Sequence, residues 1–156
     1  MGSSGLLKLL PQTLEALAAK PVDVLLSTAG RLQLEHVPNN VTAVDYVDGD
    51  QACQRADVVI TNGGSSTGYQ ALSHGKPVIG IPSNFDQYLA SQAIDATGAG
   101  TSIPARQLTA ARLSEALDQM LREPHHTKVA QELAKDMLAY PCAPRFRRFV
   151  DSVLTP

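Results

Sequence analysis

Hydrophobic residues along the chain fall into two kinds of segment. Short apolar runs rich in β-branched residues occur at Val22–Thr28, Val41–Val47, Asp57–Thr61, Val78–Ile81 and Thr101–Ile103. Such runs are typical of strands that are buried on both faces. The longer segments between them carry apolar residues at helical spacing. This alternation predicts an α/β fold in which a parallel sheet has helices on both faces.

The longer segments predict helices with recognisable ends. They cover Leu6–Lys20, Asp50–Ala56, 65–74, 84–97, Thr109–Arg122, Thr127–Tyr140 and a terminal helix within 144–156. Asp50 and Thr109 are suitable N-caps, and we expect a hydroxyl from Ser65, Ser66 or Thr67 to cap the third helix. Asp86 or Asn84 opens the next one. Gly75 and Gly98 are suitable left-handed residues at helix ends.

Glycine and hydroxyl residues are concentrated in the stretch Val58–Gln87. A strand ending at Thr61 is followed directly by the turn Asn62–Thr67, which leads into a helix. Such a turn binds anions because the free N–H groups and the positive end of the helix dipole point at the ligand. Ligands of parallel sheets bind outside the carboxyl ends of the strands. The loops after Val47, Thr61 and Ile81 are therefore expected to form one site.

Composition narrows the class of protein. The chain has 156 residues, which favours a single domain over 1–156, and its net charge of −2 argues against a nucleic-acid partner. No apolar run reaches the roughly 20 residues of a transmembrane helix. Cys53 and Cys142 have no metal-ligand spacing, which favours reduced thiols in a cytoplasmic protein.

The central stretch resembles the donor-binding signature of the UDP-dependent family 1 glycosyltransferases, which reads roughly H-G-G-x-x-T-x-x-E-A, then G-x-P, P and D-Q. Here N-G-G-S-S-T-G-Y-Q-A begins at Asn62, and Gly75–Pro77, Pro82 and Asp86–Gln87 follow in order. The resemblance extends over about 2–149 and is nearest to bacterial members that glycosylate small molecules such as macrolides. It implies a Rossmann-like domain, the C-terminal half of a two-domain GT-B enzyme.

The resemblance implies three sets of contacts to a UDP-sugar donor. Tyr46 and the backbone of Val47 would recognise the base. The diphosphate would be bound by Asn62, Gly63, Gly64, Ser65, Ser66 and Thr67. Gln70 would bind the ribose hydroxyls, and Asp86 and Gln87 would bind the sugar.

Some of these residues depart from the signature or have another interpretation. Asn62 replaces the usual His and Gln70 the usual Glu, so neither position can carry the family's charge. Tyr46 could instead pack on the core at a strand end, and Asp86 could serve only as a helix cap.

By this resemblance, the chain would be the donor half of an inverting transferase that moves a hexose from a nucleotide sugar to an acceptor hydroxyl. The catalytic base is then a His of the other domain, so no catalytic residue is assigned here, and neither a metal nor a cofactor is expected. The alternatives are a non-catalytic nucleotide-binding module, a donor subunit that needs a second chain, and a relative of the UDP-N-acetylglucosamine epimerases. The sugar, the acceptor and the choice between UDP and TDP stay open.

The first residues allow two interpretations. Gly2–Gly5 is either an expression remnant or the loop that follows the first strand of this domain in the family. In the second case the sheet lacks that strand. Unpaired strand edges favour pairing between chains, so a homodimer or a tendency to aggregate is expected.

Overall fold

A computed structural model describes residues 9–30, 34 and 36–154. Gly2–Gly5 and the start of the first predicted helix lie outside the described residues. The helices are α1 (Leu10–Ala18), α2 (Gly49–Arg55), α3 (Ser65–Ser73), α4 (Phe85–Thr97), α5 (Ala110–Arg122), α6 (Pro124–Ala139) and α7 (Cys142–Leu154). The strands are β1 (Val24–Ser27), β2 (Val41–Val44), β3 (Val59–Thr61), β4 (Val78–Gly80) and β5 (Gly100–Ser102), and a 3-10 helix covers Ala105–Gln107.

The strands form two parallel sheets rather than one continuous sheet. β1 pairs with β2, and β4 lies between β3 and β5. At the carboxyl ends, Thr61 is opposite Gly80, and Gly80 is opposite Ser102. The loops that follow β3 and β4 therefore leave from the same edge, as the sequence predicts. The predicted α/β class with parallel strands is confirmed.

Helices cover both faces of the three-stranded sheet. On one face, Ile79 and Ile81 pack in a core with residues of α1 and α5, including Leu17 and Leu113. On the other face, Val78 packs with residues of α2, α3 and α6. Successive residues of a strand point to opposite faces, so β4 contributes to both cores.

Each sheet has two edge strands within the described residues. β1 and β2 pair only with each other, and β3 and β5 each pair with β4 alone. Val24 of β1 and Ile60 of β3 nevertheless pack against the same core under α1 and α5. Leu25 of β1 is 51% exposed, although its strand is apolar. The arrangement is that expected of a sheet lacking one strand.

The predicted end of β2 and the predicted start of α2 differ from the structure. The strand predicted to end at Val47 ends at Val44, and the chain then leaves the sheet. The helix starts earlier in consequence, and Asp48 is its N-cap, accepting a 3.0 Å hydrogen bond from the Gln51 N–H. The prediction that Asp50 caps this helix is wrong, and its side chain has other partners.

At α4 the cap is Asn84, whose side chain accepts a 3.0 Å bond from the Gln87 N–H. The helix ends at Gly98 with φ +80°, as predicted. The terminal helix begins at Cys142 instead of after Pro144, because a proline in the first helical turn costs no helix hydrogen bond. None of the described helices has the length and apolar character needed to cross a membrane.

Candidate functional site

The turn after β3 is held in place by two side chains. The Gly63 N–H donates to Thr61 Oγ1 at 2.9 Å, and the Gly64 N–H donates to Asn62 Oδ1 at 3.0 Å. Gly63 has φ +78°, a conformation that side chains disfavour. Asn62 therefore shapes the turn, and the two glycine N–H groups are already engaged.

Ser91 of α4 closes the space beneath this turn. A Cβ added to Gly63 would lie 2.5 Å from Ser91 Oγ, and one added to Gly80 would lie 2.7 Å from it. Ser91 is 2% exposed, and its hydroxyl has no hydrogen-bond partner among the described residues. Both glycines are therefore required for the turn to approach α4 so closely.

The start of α3 differs from the sequence prediction. Its N-cap is Gly64, which makes no side-chain cap bond, and Ser65, Ser66 and Thr67 form the first helical turn. The prediction that one of these hydroxyls caps the helix is wrong, because all three residues lie inside the helix and the cap position is Gly64. The first N–H groups of a helix have no partner within it. The N–H groups at the start of α3 that lack partners within the helix are therefore those of residues 65–67, which follow the N-cap Gly64.

At the other end of α3, the predicted left-handed glycine at position 75 is confirmed. The helix stops at Ser73, and Gly75 adopts φ +67°.

The expected base-binding residues lie in the loop after β2. Tyr46 is 78% exposed, so the alternative that it packs on the core is wrong. Its ring lies beside Gly30, where an added Cβ would be 3.4 Å from the Tyr46 hydroxyl oxygen. Val47, the next residue, is partly exposed.

Sequence reasoning missed the loop after β1. Ala29 and Gly30 have φ values of 55° and 66°, and such consecutive left-handed residues bend the chain sharply after the strand. The signal available was Gly30, which stands two residues after the end of the predicted strand at Thr28. Left-handed alanine stores strain, which is often found at ligand sites.

Gln70 lies where α2, which follows β2 of the first sheet, meets α3, which follows β3 of the second sheet. Its amide is in contact with Gly49 at the start of α2, and a Cβ on Gly49 would collide with Gln70 Oε1. Next to it, Asp50 Oδ1 lies 3.0 Å from His74 Nε2. Hydrogen bonds from His74 and from Gln70 hold the pKa of Asp50 below its usual value. The start of α2 and helix α3 are therefore in contact at this point.

Asp86 and Gln87 have different surroundings. Asp86 is exposed in the first turn of α4, and the alternative that it caps this helix is wrong, because Asn84 does so. Gln87 is 5% exposed, and its Oε1 accepts hydrogen bonds from the Ser83 N–H at 2.8 Å and the Ser83 hydroxyl at 3.0 Å. In this conformation Gln87 holds the loop after β4, while Asp86 faces solvent.

The structure thus places the predicted residues after the carboxyl ends of β2, β3 and β4. Tyr46, Val47, residues 65–67 and Asp86 offer exposed groups, whereas Asn62 and Gln87 organise loops. Their contacts with a donor stay predictions. In the described part of the chain, no group of three or more His, Cys, Asp or Glu residues is arranged to hold a metal ion.

We predict different effects on stability when the hydroxyls of Thr61 and Ser91, which both lie close to Gly63, are removed. Thr61→Val keeps the side-chain shape but leaves the buried Gly63 N–H without its acceptor, which should lower the free energy of unfolding by about 1–3 kcal/mol. Ser91→Ala removes a hydroxyl that has no partner among the described residues and should leave stability unchanged or higher. Urea denaturation of both variants measures this. An equal loss in the two would contradict the arrangement of the turn.

The sequence of this chain matches a known protein family and several curated proteins. Residues 10–147 match the family described as "Erythromycin biosynthesis protein CIII-like, C-terminal domain". A PGL/p-HBAD biosynthesis glycosyltransferase of Mycobacterium tuberculosis is 43% identical over 135 residues, which is 86% of this chain and 32% of that protein. The chain therefore spans about a third of the length of this curated relative.

Solved structures share the fold. The glycotransferase of kitacinnamycin has a TM-score of 0.87 at 23% identity, with 97% of this chain matched to 41% of that one. Spinosyn rhamnosyltransferase SpnG complexed with thymidine diphosphate has a TM-score of 0.83 at 25% identity, with 97% of this chain matched to 43% of that one. The suspected macrolide-type glycosyltransferase resemblance and the GT-B half-fold are thus confirmed. This chain belongs to the family of C-terminal domains that resemble erythromycin biosynthesis protein CIII.

Proposed function

We propose that the chain is the donor-binding half of an inverting glycosyltransferase, which transfers a hexose from a nucleotide sugar to an acceptor hydroxyl. The observation that carries the proposal is the open start of α3. Thr61 and Asn62 accept hydrogen bonds from the two glycine N–H groups of the turn. The helix that follows has no side-chain cap on its first N–H groups. A diphosphate fits this end because it gains hydrogen bonds and the favourable end of the helix dipole.

The other parts of a nucleotide sugar have candidate partners around this point. The exposed ring of Tyr46 and the backbone of Val47 would receive the base, and Gln70 would accept from the ribose. Asp86 would accept from sugar hydroxyls, since its carboxylate is exposed and does not cap α4. Gln87 would support it by fixing the loop at Ser83.

The donor nucleotide is proposed to be UDP, as the sequence resemblance implies. The similar spinosyn enzyme is described as complexed with thymidine diphosphate, so dTDP is the natural comparison. We propose that neither a metal nor a cofactor takes part, because the α3 N–H groups and the hydroxyls of Ser65, Ser66 and Thr67 offer the diphosphate its donors. A cytoplasmic location stays a prediction.

The acceptor half is proposed to lie outside this chain, which spans about a third of its curated relative. It would hold the acceptor hydroxyl in line with the anomeric carbon, and a His there would take the proton. In this arrangement the donor half only binds the donor and stabilises the leaving diphosphate.

Donor binding is tested by blocking the start of α3. We expect UDP to bind the chain, and the double variant Ser66→Phe/Thr67→Phe to weaken binding at least tenfold, about 1.4 kcal/mol, because the rings fill the phosphate position. Titration calorimetry with UDP and dTDP gives the constants. Ser73→Phe, at the far end of the same helix, is the matched control and should bind like the original chain. Equal affinities for both variants would contradict the assignment.

The division of labour is tested by transfer. The isolated chain should form no glycoside from radiolabelled UDP-sugars with a broad acceptor panel. The missing half would contribute positioning worth roughly 7–11 kcal/mol and general-base catalysis of about 10²–10⁴-fold. Slow donor hydrolysis is the most that we expect.

Saturable transfer by this chain alone, lost in Asp86→Ala/Gln87→Ala, would show that it carries its own acceptor site and base. Donor binding without transfer after an acceptor half is added would favour the non-catalytic alternative.

We also propose that the open edges of β1 and β3 make the chain a homodimer at high concentration. Unpaired strand edges offer N–H and C=O groups to a second chain. Leu25→Lys puts a charge on the β1 edge and should shift sedimentation toward monomer. Leu138→Lys on α6, where the side chain is 86% exposed, is the control for lost apolar surface. A monomer at all concentrations, or equal effects of both changes, would argue against edge pairing.

A further inference from the structure

The ends of β1 and β2 are joined by hydrogen bonds beyond their last paired residues, Ser27 and Val44. The Thr28 hydroxyl donates to Asp45 Oδ1 at 3.0 Å, and the Thr28 N–H donates to the Val44 carbonyl oxygen at 2.8 Å. The Ser27 hydroxyl adds a 3.2 Å bond to the Asp45 carbonyl oxygen. Asp45 is therefore held to the end of β1 by both its side chain and its backbone.

The chain bends directly after this connection on the β1 side. Ala29 and Gly30 follow Thr28 with φ values of 55° and 66°. A left-handed alanine is strained, and such a conformation persists only where the surrounding structure holds it. Thr28 is 7% exposed, so a buried side chain with a fixed partner stands immediately before the strained turn.

The two segments meet again at the Tyr46 ring. Tyr46 follows Asp45, and its ring lies beside the turn after β1, because a Cβ added to Gly30 would be 3.5 Å from Tyr46 Cε2 and 3.4 Å from its hydroxyl oxygen. These are distances of van der Waals contact. Tyr46 is nevertheless 78% exposed, so the position of the Gly30 backbone has a large influence on how the ring is turned.

We propose that Thr28 and Asp45 are positioning residues, whose hydrogen bond holds the turn at Gly30 beside the Tyr46 ring. The ring then presents a fixed face to the base of the donor nucleotide. This inference rests on the proposed function, in which Tyr46 receives the base, and neither Thr28 nor Asp45 contacts the donor in it. A side chain that is fixed in advance loses less conformational freedom on binding, which favours the complex.

The test compares two ligands that differ only in the base. UDP carries uracil, whereas ribose 5-diphosphate has the ribose and the diphosphate without a base. Titration calorimetry gives the dissociation constants of both, and their ratio is the base preference. For the original chain we expect a preference of roughly 5–150-fold, which corresponds to one base stacked on an aromatic side chain. Tyr46→Ala should remove most of it.

Two matched pairs of variants separate the hydrogen bond from shape and charge. Thr28→Val keeps the shape of the side chain without its hydroxyl, whereas Thr28→Ser keeps the hydroxyl. Asp45→Ala and Asp45→Asn both remove the negative charge, but only asparagine can still accept from Thr28. Thr28→Val and Asp45→Ala should each lower the base preference roughly 3–10-fold, the effect of one hydrogen bond. Thr28→Ser and Asp45→Asn should keep it.

A measurement on the chain without ligand tests the positioning itself. Nuclear Overhauser effects between the Gly30 Hα protons and the Tyr46 ring protons report the contact that the structure shows. They should be retained in Thr28→Ser and Asp45→Asn and weakened in Thr28→Val and Asp45→Ala. Effects of equal strength in all four variants would contradict a role of the hydrogen bond in placing the ring.

The outcomes separate this inference from the proposed function. Failure of the original chain to bind UDP would overturn both. UDP binding with a base preference that is unchanged in Thr28→Val and Asp45→Ala would overturn the inference alone, and so would equal weakening of both ligands, which indicates a purely structural role. Loss of the preference in all four variants would assign it to shape or charge and overturn the inference as well. Loss in the valine and alanine variants, with retention in the serine and asparagine variants, would support it.

Discussion

The close packing of Gly63 against α4 is the constraint on which the rest of the site depends. Its φ is +78°, and a Cβ added to it would lie only 2.5 Å from Ser91 Oγ, so this residue has to be glycine. The turn can then bring the Gly63 and Gly64 N–H groups to the side chains of Thr61 and Asn62. As a result α3 starts at Ser65, shortly after the carboxyl end of β3, and no side chain caps it. In the proposed function, the phosphate site thus arises from packing beneath the turn and not from a dedicated charged side chain.

A second constraint joins the two sheets, which share no strand hydrogen bonds within the described residues. The contact of Gln70 with Gly49 and the bond between Asp50 and His74 hold the start of α2, which follows the loop after β2, against α3. In the proposed function, this contact lets the loop around Tyr46 and the start of α3 bind the base and the diphosphate of one ligand. The bond between Asp50 and His74 is exposed and therefore of modest strength, and the shared core under α1 and α5 supports the contact.

Many of the strands and helix ends could be predicted from the sequence, because the residues that determine them lie close together in the chain. Apolar runs marked the parallel strands, and Gly75 and Gly98 ended helices where expected. The caps were harder, since Asp48 and Asp50 are equally good cap residues and only the early end of β2 decides between them. Likewise, nothing in the sequence shows that Gln87 is buried against Ser83, because that contact depends on how the loop after β4 folds back.

The most direct measurement is a map of backbone amide shifts in an isotope-labelled sample as UDP is added. If the open start of α3 binds the diphosphate, the largest changes should fall on Ser65, Ser66 and Thr67, followed by the loop around Tyr46 and Val47. The Gly63 and Gly64 amides should shift less, because Thr61 and Asn62 already hold them. Saturating changes in that order would support the donor site. Changes centred on α5, α6 or α7, or none at millimolar UDP, would contradict it.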